Sequence, residues 1–273
     1  MRLILLTILI VNLSSFVFGD NSQIGVWLSG AAYCGKDKYK TMTLNGPASG
    51  FKVADILYDS KTDLQGFTGT LDSNKAIYVA FRGSSSLLNW LDDAEVRKIP
   101  YDSYPECGCD VHRGFYRSAL NIKNATIESV KKMKNQYKNY DIIVTGHSYG
   151  AAVAQMIGME LVKSGFNEIS IYNYGQPRTG EKKYADFMNT VISRYSRYTH
   201  NKDVVPHVPP LSGFNYYHSC GEIFEDETGK LKICSESDCE DPTCADKYDL
   251  YQTNGDDHSV YLGHQVNCET STI

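Results

Sequence analysis

Residues 141–163 read DIIVTGHSYGAAVAQMIGMELVK and decide the fold class of this chain. Three consecutive β-branched residues predict a strand over residues 141–145 that is buried on both faces. The alanine-rich residues 151–162 predict a helix that ends near Gly165. A strand that turns sharply into a helix is the repeating unit of α/β folds.

The same alternation continues on both sides of this stretch. We expect strands over 76–81, 169–174 and 195–199 and a helix over 115–137, whose outer lysines favour a solvated face over a binding patch. Sequential strands joined by helices lie parallel in one sheet. The sequence therefore predicts an α/β fold with a mostly parallel central sheet flanked by helices.

Length and charge exclude several classes of protein. The chain has 273 residues, 42% of them hydrophobic and 22% charged, which is the composition of a globular protein and not of a collagen-like or disordered one. Lys and Arg number 27 against 32 Asp and Glu, which gives a net charge of −5 with no basic cluster to offset it. We therefore expect no nucleic-acid partner.

The first residues have the pattern of a secretory signal peptide. Arg2 is followed by an apolar run over residues 3–11, and small residues precede a cleavage site before Asp20. The run is shorter than the roughly 20 residues that a membrane span needs. We expect a signal peptide over 1–19, a single domain over 20–273, no transmembrane segment and a secreted protein, extracellular or luminal.

Eight cysteines, an even number in an exported chain, favour disulfides over free thiols. A bridge between Cys34 and Cys268 would join the two ends of the mature chain, whereas Cys107 and Cys109 are too close together to assign. The remaining cysteines lie between 220 and 244 without the paired short spacing of a zinc site. We expect bridges there and no metal.

Two further surface features are open to interpretation. An acidic cluster could hold calcium, but we favour a solvated face; it comprises Asp238, Glu240, Asp241, Asp246 and Asp249. The triplet Asn124-Ala125-Thr126 is an N-glycosylation sequon, a pattern that suits the surface of a secreted protein and is often unused.

The turn between strand and helix carries the candidate nucleophile. Residues 146–150 read Gly-His-Ser-Tyr-Gly, the G-x-S-x-G pattern of a nucleophile elbow, with Ser148 at its centre. Glycine is required on both sides because a Cβ at either flank would collide with neighbouring backbone. The helix that follows would stabilise a developing oxyanion at its positive end. The alternative is a serine in an ordinary tight turn.

A serine nucleophile needs a base and an acid, which in this fold class follow in the order acid, then histidine. Asp203 comes directly after the predicted strand over 195–199, although it could equally cap a turn. Four histidines follow it. His207, in a proline-rich loop, favours a structural role, whereas His258 lies in a short polar loop that can reach back over the sheet.

Four blocks of sequence resemble the class 3, or fungal-lipase-type, lipases of the α/β-hydrolase fold. They are residues 78–90, 142–151, 174–180 with 201–210, and 257–263. The resemblance extends over about residues 50 to 268. It implies a catalytic triad of Ser148, Asp203 and His258, and it implies a structural role for His218.

The resemblance also implies an oxyanion hole and a short helical lid. The backbone N–H of Tyr149, where the family more often has leucine, and the N–H and hydroxyl of Ser84 would hold the oxyanion. The lid would present one apolar face made of Leu87, Leu88, Trp90 and Leu91. A plain buried helix is the alternative for this segment, and an esterase for soluble feruloyl esters would carry a more polar lid.

These features predict a secreted, monomeric triacylglycerol lipase that acts at a lipid–water interface on acylglycerol esters, through an acyl-enzyme and without a cofactor. A phospholipase A1 or a feruloyl-type esterase would use the same triad. A lipid-binding homologue without activity would be expected to carry a damaged triad, and this sequence does not.

Overall fold

The computed structural model describes residues 13–84 and 96–273, with the backbone alone over 13–20. Its helices are α1 (Leu13–Ala31), α2 (Arg113–Gln136), α3 (Tyr149–Lys163), α4 (Lys182–Val191) and the short α5 (Cys268–Ser271). Its strands are β1 (Lys52–Asp59), β2 (Leu64–Leu71), β3 (Ala76–Phe81), β4 (Lys98–Pro100), β5 (Asp110–His112), β6 (Asp141–His147), β7 (Ile169–Tyr174), β8 (Arg194–His200), β9 (Glu222–Glu225), β10 (Leu231–Ile233), β11 (Val260–Tyr261) and β12 (His264–Gln265).

The central sheet has the strand order β1-β2-β3-β6-β7-β8-β9-β10. Within this sheet the strands β3, β6, β7, β8 and β9 run parallel. The pairs β1–β2, β2–β3 and β9–β10 are antiparallel. This arrangement confirms the predicted α/β fold. Because the carboxyl ends of parallel strands meet at one edge, the loops after β3, β6, β7 and β8 come together there.

The strand β6 is buried on both faces, as its sequence predicts. Ile142 and Val144 pack on one face of the sheet with residues of α2, α3 and α4. Ile143, between them, packs on the other face with residues of α1. Alternate side chains of a strand point to opposite faces, so a β-branched run with no polar position has to lie between two helical layers.

The predicted elements agree with the structure to within a few residues. The strands over 76–81 and 169–174 have their predicted bounds, whereas α3 begins at Tyr149 and not at Ala151. The earlier start arises because β6 continues to His147 and Ser148 alone makes the turn. A single turn residue leaves no room for a longer loop.

The cysteines are joined in four disulfides: Cys34–Cys268, Cys107–Cys109, Cys220–Cys239 and Cys234–Cys244. The bridge between the chain ends is therefore confirmed. The close pair that the sequence left unassigned is bonded to itself. The last two bridges lie within residues 220–244, the segment that contains β9 and β10.

Two predicted segments fall wholly or partly outside the described residues. These are residues 1–12 of the predicted signal peptide and the four apolar residues of the predicted lid. Within the described ranges, no helix has the length and apolar character needed to cross a membrane. In the sequon, Asn124 is exposed on α2 and Thr126 is buried.

Candidate active site

Ser148 occupies the sharp turn between β6 and α3. Its backbone has φ 60° and ψ −131°, a conformation that non-glycine residues rarely adopt outside functional sites. A Cβ on Gly146 would lie 2.4 Å from the carbonyl oxygen of Gly150, and one on Gly150 would lie 2.3 Å from that of Arg82. These contacts confirm that the turn excludes side chains at both flanking positions.

The turn places the backbone N–H groups of Ser148 and Tyr149 at the carboxyl edge of the sheet. The N–H of Ser148 donates to the carbonyl of Tyr174 at the end of β7, over 2.9 Å, which fixes the serine between two strands. Tyr149 is the first residue of α3, so its backbone N–H contributes to the positive end of the helix dipole.

Asp203 and His258 meet at the same edge. Nδ1 of His258 and Oδ2 of Asp203 are 2.8 Å apart, and each residue is at least 96% buried, with 4% and 2% exposed. Oδ1 of Asp203 accepts the backbone N–H of Val205 over 2.8 Å. Burial by itself would raise the pKa of Asp203, but His258 and these hydrogen bonds outweigh it and lower the pKa. The carboxylate is therefore ionised and aligned with the imidazole.

Tyr261 is a member of this cluster that sequence reasoning missed. Its fully buried hydroxyl donates to Oδ2 of Asp203, the oxygen that also binds His258. The residue lies within the 257–263 block, three positions after His258, but nothing in that spacing shows which way its ring points. Burial, followed by the charge of Asp203, raises the pKa of Tyr261, so it remains a hydrogen-bond donor.

The candidate base His258 and the candidate nucleophile Ser148 contact neighbouring residues at the end of β7. A Cβ on Gly175 would come within 2.7 Å of Cε1 of His258, so the imidazole lies directly against the residue that follows β7. The backbone N–H of Ser148 is hydrogen-bonded to the carbonyl of Tyr174, the residue before Gly175. Nε2 of His258 is buried and has no hydrogen-bond partner among residues 13–84 and 96–273. That nitrogen is available to accept a proton.

The loop that carries Asp203 is held by buried polar side chains. Arg178 donates from its backbone N–H to the carbonyl of Val208 over 2.9 Å and from Nη1 to that of His207 over 2.8 Å. His218 donates from Nε2 to the carbonyl of Pro206 over 2.8 Å. Burial lowers the pKa of His218 well below its usual value, and His207 shifts in the same direction. Both histidines are buried beside this loop, where the sequence predicts a structural role for them.

Three members of the acidic cluster do not form the solvated face that the sequence suggests, whereas Asp238 and Asp249 are exposed as predicted. Glu240 forms a bidentate pair with Arg178, with oxygen–nitrogen distances of 3.0 and 2.9 Å, and Asp246 lies 3.1 Å from the same guanidinium. Asp241 accepts the backbone N–H groups of Ser235 and Thr243. The prediction was wrong for Glu240, Asp241 and Asp246, because the bridged segment turns these carboxylates inward, and two of them contact an arginine from another loop.

A group of potential metal ligands lies in the same segment. Glu222, Cys234 and Cys244 place one ligand atom each within 4.8 Å of one another. Both sulfur atoms belong to one disulfide, whereas a cysteine binds a metal through its free thiolate. The chemistry of these residues therefore does not fit a metal.

Comparison with known proteins assigns the family. The model of the class 3 lipase family matches residues 78–213. The lipase of Rhizomucor miehei is 33% identical over 198 residues, covering 70% of this chain and 53% of that protein. The chain belongs to the class 3 lipase family. A secreted mono- and diacylglycerol lipase A of Penicillium cyclopium is 31% identical over 204 residues, with 74% and 63% covered.

Solved lipase structures share the fold. A triacylglycerol lipase whose catalytic centre is formed by a serine protease triad superimposes with a TM-score of 0.82 at 28% identity, covering 91% of this chain and 96% of that one. This chain spans only about half to two thirds of the length of the two curated relatives. The matched family range contains Ser84, Ser148 and Asp203, whereas His258 lies beyond it.

Tyr149 lies where the resemblance to the family leads us to expect leucine. The Tyr149 hydroxyl lies 2.7 Å from that of Ser118 and donates to the carbonyl of Gly114 over 3.0 Å. Its ring forms one wall of a cavity of about 320 Å³, bounded on the other sides by residues 62–64 and 82–84. The predicted oxyanion residue Ser84 therefore lines the same cavity as Tyr149, the residue that follows Ser148.

Proposed function

We propose that this class 3 lipase hydrolyses the ester bonds of acylglycerols with Ser148 as nucleophile, His258 as general base and Asp203 as the acid that orients it. One observation carries the proposal: the buried 2.8 Å hydrogen bond between Asp203 and His258 at the sheet edge where Ser148 turns. This hydrogen bond fixes the proton of the imidazole on Nδ1 and leaves Nε2 as the acceptor.

The reaction then follows in two steps. Ser148 Oγ attacks the ester carbonyl carbon while its proton passes to Nε2 of His258. The bond to the alcohol oxygen breaks, and His258 returns the proton to that oxygen. Water attacks the acyl-enzyme, gives its proton to His258, and the carboxylic acid leaves as the proton returns to Ser148.

The developing oxyanion would be held by the Tyr149 N–H and by Ser84. Ser84 borders the cavity beside the elbow, and Tyr149 begins α3, where the helix dipole adds to the hydrogen bond. Loss of one donor of this kind typically costs on the order of 10²–10³ in rate. The use of a backbone N–H explains why tyrosine can replace leucine at position 149.

The substrate class and the place of action are supported by the relatives. Those described above are named as a lipase, a mono- and diacylglycerol lipase and a triacylglycerol lipase, one of them secreted. We infer that this protein is also secreted, after removal of residues 1–19, and that it works as a monomer at a lipid–water interface.

The deciding experiment replaces Ser148 by alanine. We expect turnover of emulsified triolein to fall by several orders of magnitude, since a triad serine forms the covalent bond. The purified Ser148→Ala protein should unfold at the same temperature as its parent. Retained hydrolysis by this variant would refute the assignment of the nucleophile.

A substrate panel defines the ester class. Triolein, phosphatidylcholine and methyl ferulate separate a triacylglycerol lipase from a phospholipase A1 and from a feruloyl-type esterase. We expect triolein to be hydrolysed fastest. Preference for either other substrate would keep the triad and replace the substrate assignment.

The preference for an interface rests on the sequence of residues 87–91, which lie outside the described residues. Exposing several apolar side chains to water costs roughly 1.5–3 kcal/mol each, and a lipid surface cancels that cost. Polar replacements of Trp90 and Leu91 should therefore flatten the rise in rate at the solubility limit of a short-chain triacylglycerol. An unchanged rise would remove the lid from the proposal.

A further inference from the structure

A chain of hydrogen bonds crosses the site behind Ser148, through side chains that the proposed mechanism does not use. His147, the residue before the nucleophile, lies with Nδ1 2.7 Å from the hydroxyl of Tyr33 and Nε2 2.8 Å from the carbonyl oxygen of His258. The Tyr33 oxygen accepts the backbone N–H of Gly83 over 3.0 Å. The chain thus connects the residue before Ser84 with the residue that carries the base.

The chemistry of the groups fixes the direction of every donor. A carbonyl oxygen only accepts, so Nε2 of His147 carries a proton and donates a hydrogen bond to the backbone carbonyl of His258. The neutral imidazole then accepts at Nδ1, and the hydroxyl of Tyr33 donates to it. A second proton on His147 would leave the Tyr33 hydroxyl without this acceptor.

The surroundings keep His147 neutral. Burial, followed by the nearby His258, lowers the pKa of His147 to about 3, against an opposing effect of Asp203. The rings of His147 and His258 are 4.3 Å apart, and the rings of Tyr33 and Tyr261 meet His147 edge-on. A charged His147 would repel the imidazolium that forms on His258 during turnover.

Close packing makes this arrangement specific. A Cβ on Gly83 would lie 2.5 Å from the Tyr33 hydroxyl and 2.6 Å from Cβ of Ser148, so the three segments touch at one point. Tyr33 precedes Cys34, which forms a disulfide with Cys268 near the end of the chain. The disulfide therefore restrains the backbone next to Tyr33.

We propose that Tyr33 and His147 are positioning residues that fix the general base and the oxyanion loop relative to the nucleophile. Tyr33 sets the position of Gly83 and hence of Ser84, and His147 sets the backbone of His258. The proposal rests on the proposed function, because it assigns these side chains to the geometry of that reaction.

The first test removes one hydroxyl. Tyr33→Phe should lower kcat for a soluble ester by about 10- to 100-fold, the range expected when reacting groups are slightly misplaced, with little change in KM. The control is Tyr104→Phe, a buried tyrosine whose hydroxyl donates to the backbone carbonyl of Met159, outside the chain of hydrogen bonds. A loss of kcat no larger than that of the control would overturn the proposal.

The second test separates hydrogen bonding from packing at His147. Glutamine can donate to the His258 carbonyl and accept from Tyr33, whereas leucine can do neither. We expect His147→Leu to slow the phosphonylation of Ser148 by a p-nitrophenyl alkylphosphonate, in which the serine oxygen displaces p-nitrophenolate from phosphorus. His147→Gln should recover most of that rate. Equal rates for the two variants would contradict the proposal.

A third measurement does not depend on catalysis. In ¹⁵N NMR spectra of the unmodified protein, His147 should be the Nε2–H tautomer and remain neutral from pH 8 to pH 5. The opposite tautomer, or titration of His147 within that interval, would overturn the hydrogen-bond chain even if esters are hydrolysed. If instead the tautomer is as expected and the parent protein hydrolyses no ester, the proposed function fails and the kinetic role falls with it.

Discussion

The two halves of the candidate site are built in different ways. The nucleophile half is a run of five residues, 146–150, whose geometry is enforced by backbone contacts with two adjacent strands. The acid–base half joins Asp203 and His258, which are 55 residues apart in the chain. It is held by buried side chains and by loops that belong to neither residue.

The difference shows where each half is vulnerable. A Cβ on Gly146 would meet main-chain atoms of α3, and a Cβ on Gly150 would meet main-chain atoms at the end of β3. The nucleophile half is therefore disturbed by added atoms. The loop after Asp203 depends on Arg178, whose guanidinium is 3% exposed and faces Glu240 and Asp246. Removal of the arginine charge would destabilise this loop, because the two carboxylates would remain buried without their partner.

Arg178→Met should give the largest loss of stability. Removing one member of a buried ion pair typically costs about 3–5 kcal/mol, since the carboxylates stay desolvated. Burial already raises the pKa of Glu240 despite the arginine. Without Arg178, this buried carboxyl would therefore have the largest desolvation cost. The free energy of unfolding in urea, with the disulfides intact, measures the change.

A surface ion pair provides the control for this substitution. Lys182 lies 2.8 Å from Asp186, but both side chains are more than half exposed. Lys182→Met should cost less than about 1 kcal/mol. If the two substitutions had equal effects, the buried cluster would not hold the acid–base half.

Gly150→Ala tests the nucleophile half. The added Cβ would lie 2.3 Å from the carbonyl oxygen of Arg82 and 2.6 Å from that of Phe81, and neither atom can move without the sheet. We expect a loss of roughly 2–3 kcal/mol in the free energy of unfolding, as for overpacking in a rigid core. The control is Gly165→Ala, where nothing lies within 4 Å of the new Cβ but φ is positive, for which about 1 kcal/mol is expected. Equal losses would show that the elbow tolerates added atoms.

Acid should have the smallest of these effects, and it acts where the two halves meet. The pKa of His147 is about 3 in the folded protein and 6.5 when unfolded, so the unfolded chain binds the proton first as the pH falls. The stability that this residue contributes is complete above pH 6.5 and is lost as the pH falls from 6.5 toward 3. By pH 5 the loss from His147 alone is about 2 kcal/mol.

The variant His147→Gln has no titrating group at this position. Between pH 7 and pH 5 it should therefore lose about 2 kcal/mol less stability than the parent protein. Urea unfolding at the two pH values measures both slopes. Parallel slopes would mean that His147 is not held neutral by the fold.

Much of the fold was predictable because it depends on periodicity. The strands over 76–81 and 169–174 and the helix after Ser148 follow from runs of apolar residues, which have to be buried wherever they occur. The elbow was predictable because its constraint is local. The positions of Asp203 and His258 required the resemblance to the family, since spacing alone left Asp203 undecided.

The residues that sequence reasoning missed all act through space. Tyr33, Arg178 and Tyr261 carry polar groups that could have faced water, and nothing near them in the sequence indicates burial. Each contacts a partner at least 29 residues away, and only the folded chain brings the two together. The inward turn of Glu240 was misjudged for the same reason.

By itself, the sequence determined the alternation of strands and helices and the strained turn at Ser148, because apolar periodicity and the clearance of a Cβ are properties of neighbouring residues. Only the tertiary structure decided which polar side chains hold the acid and the base. Hydrogen bonds reach only about 3 Å, so their partners are known once the sheet has brought distant loops to a common edge.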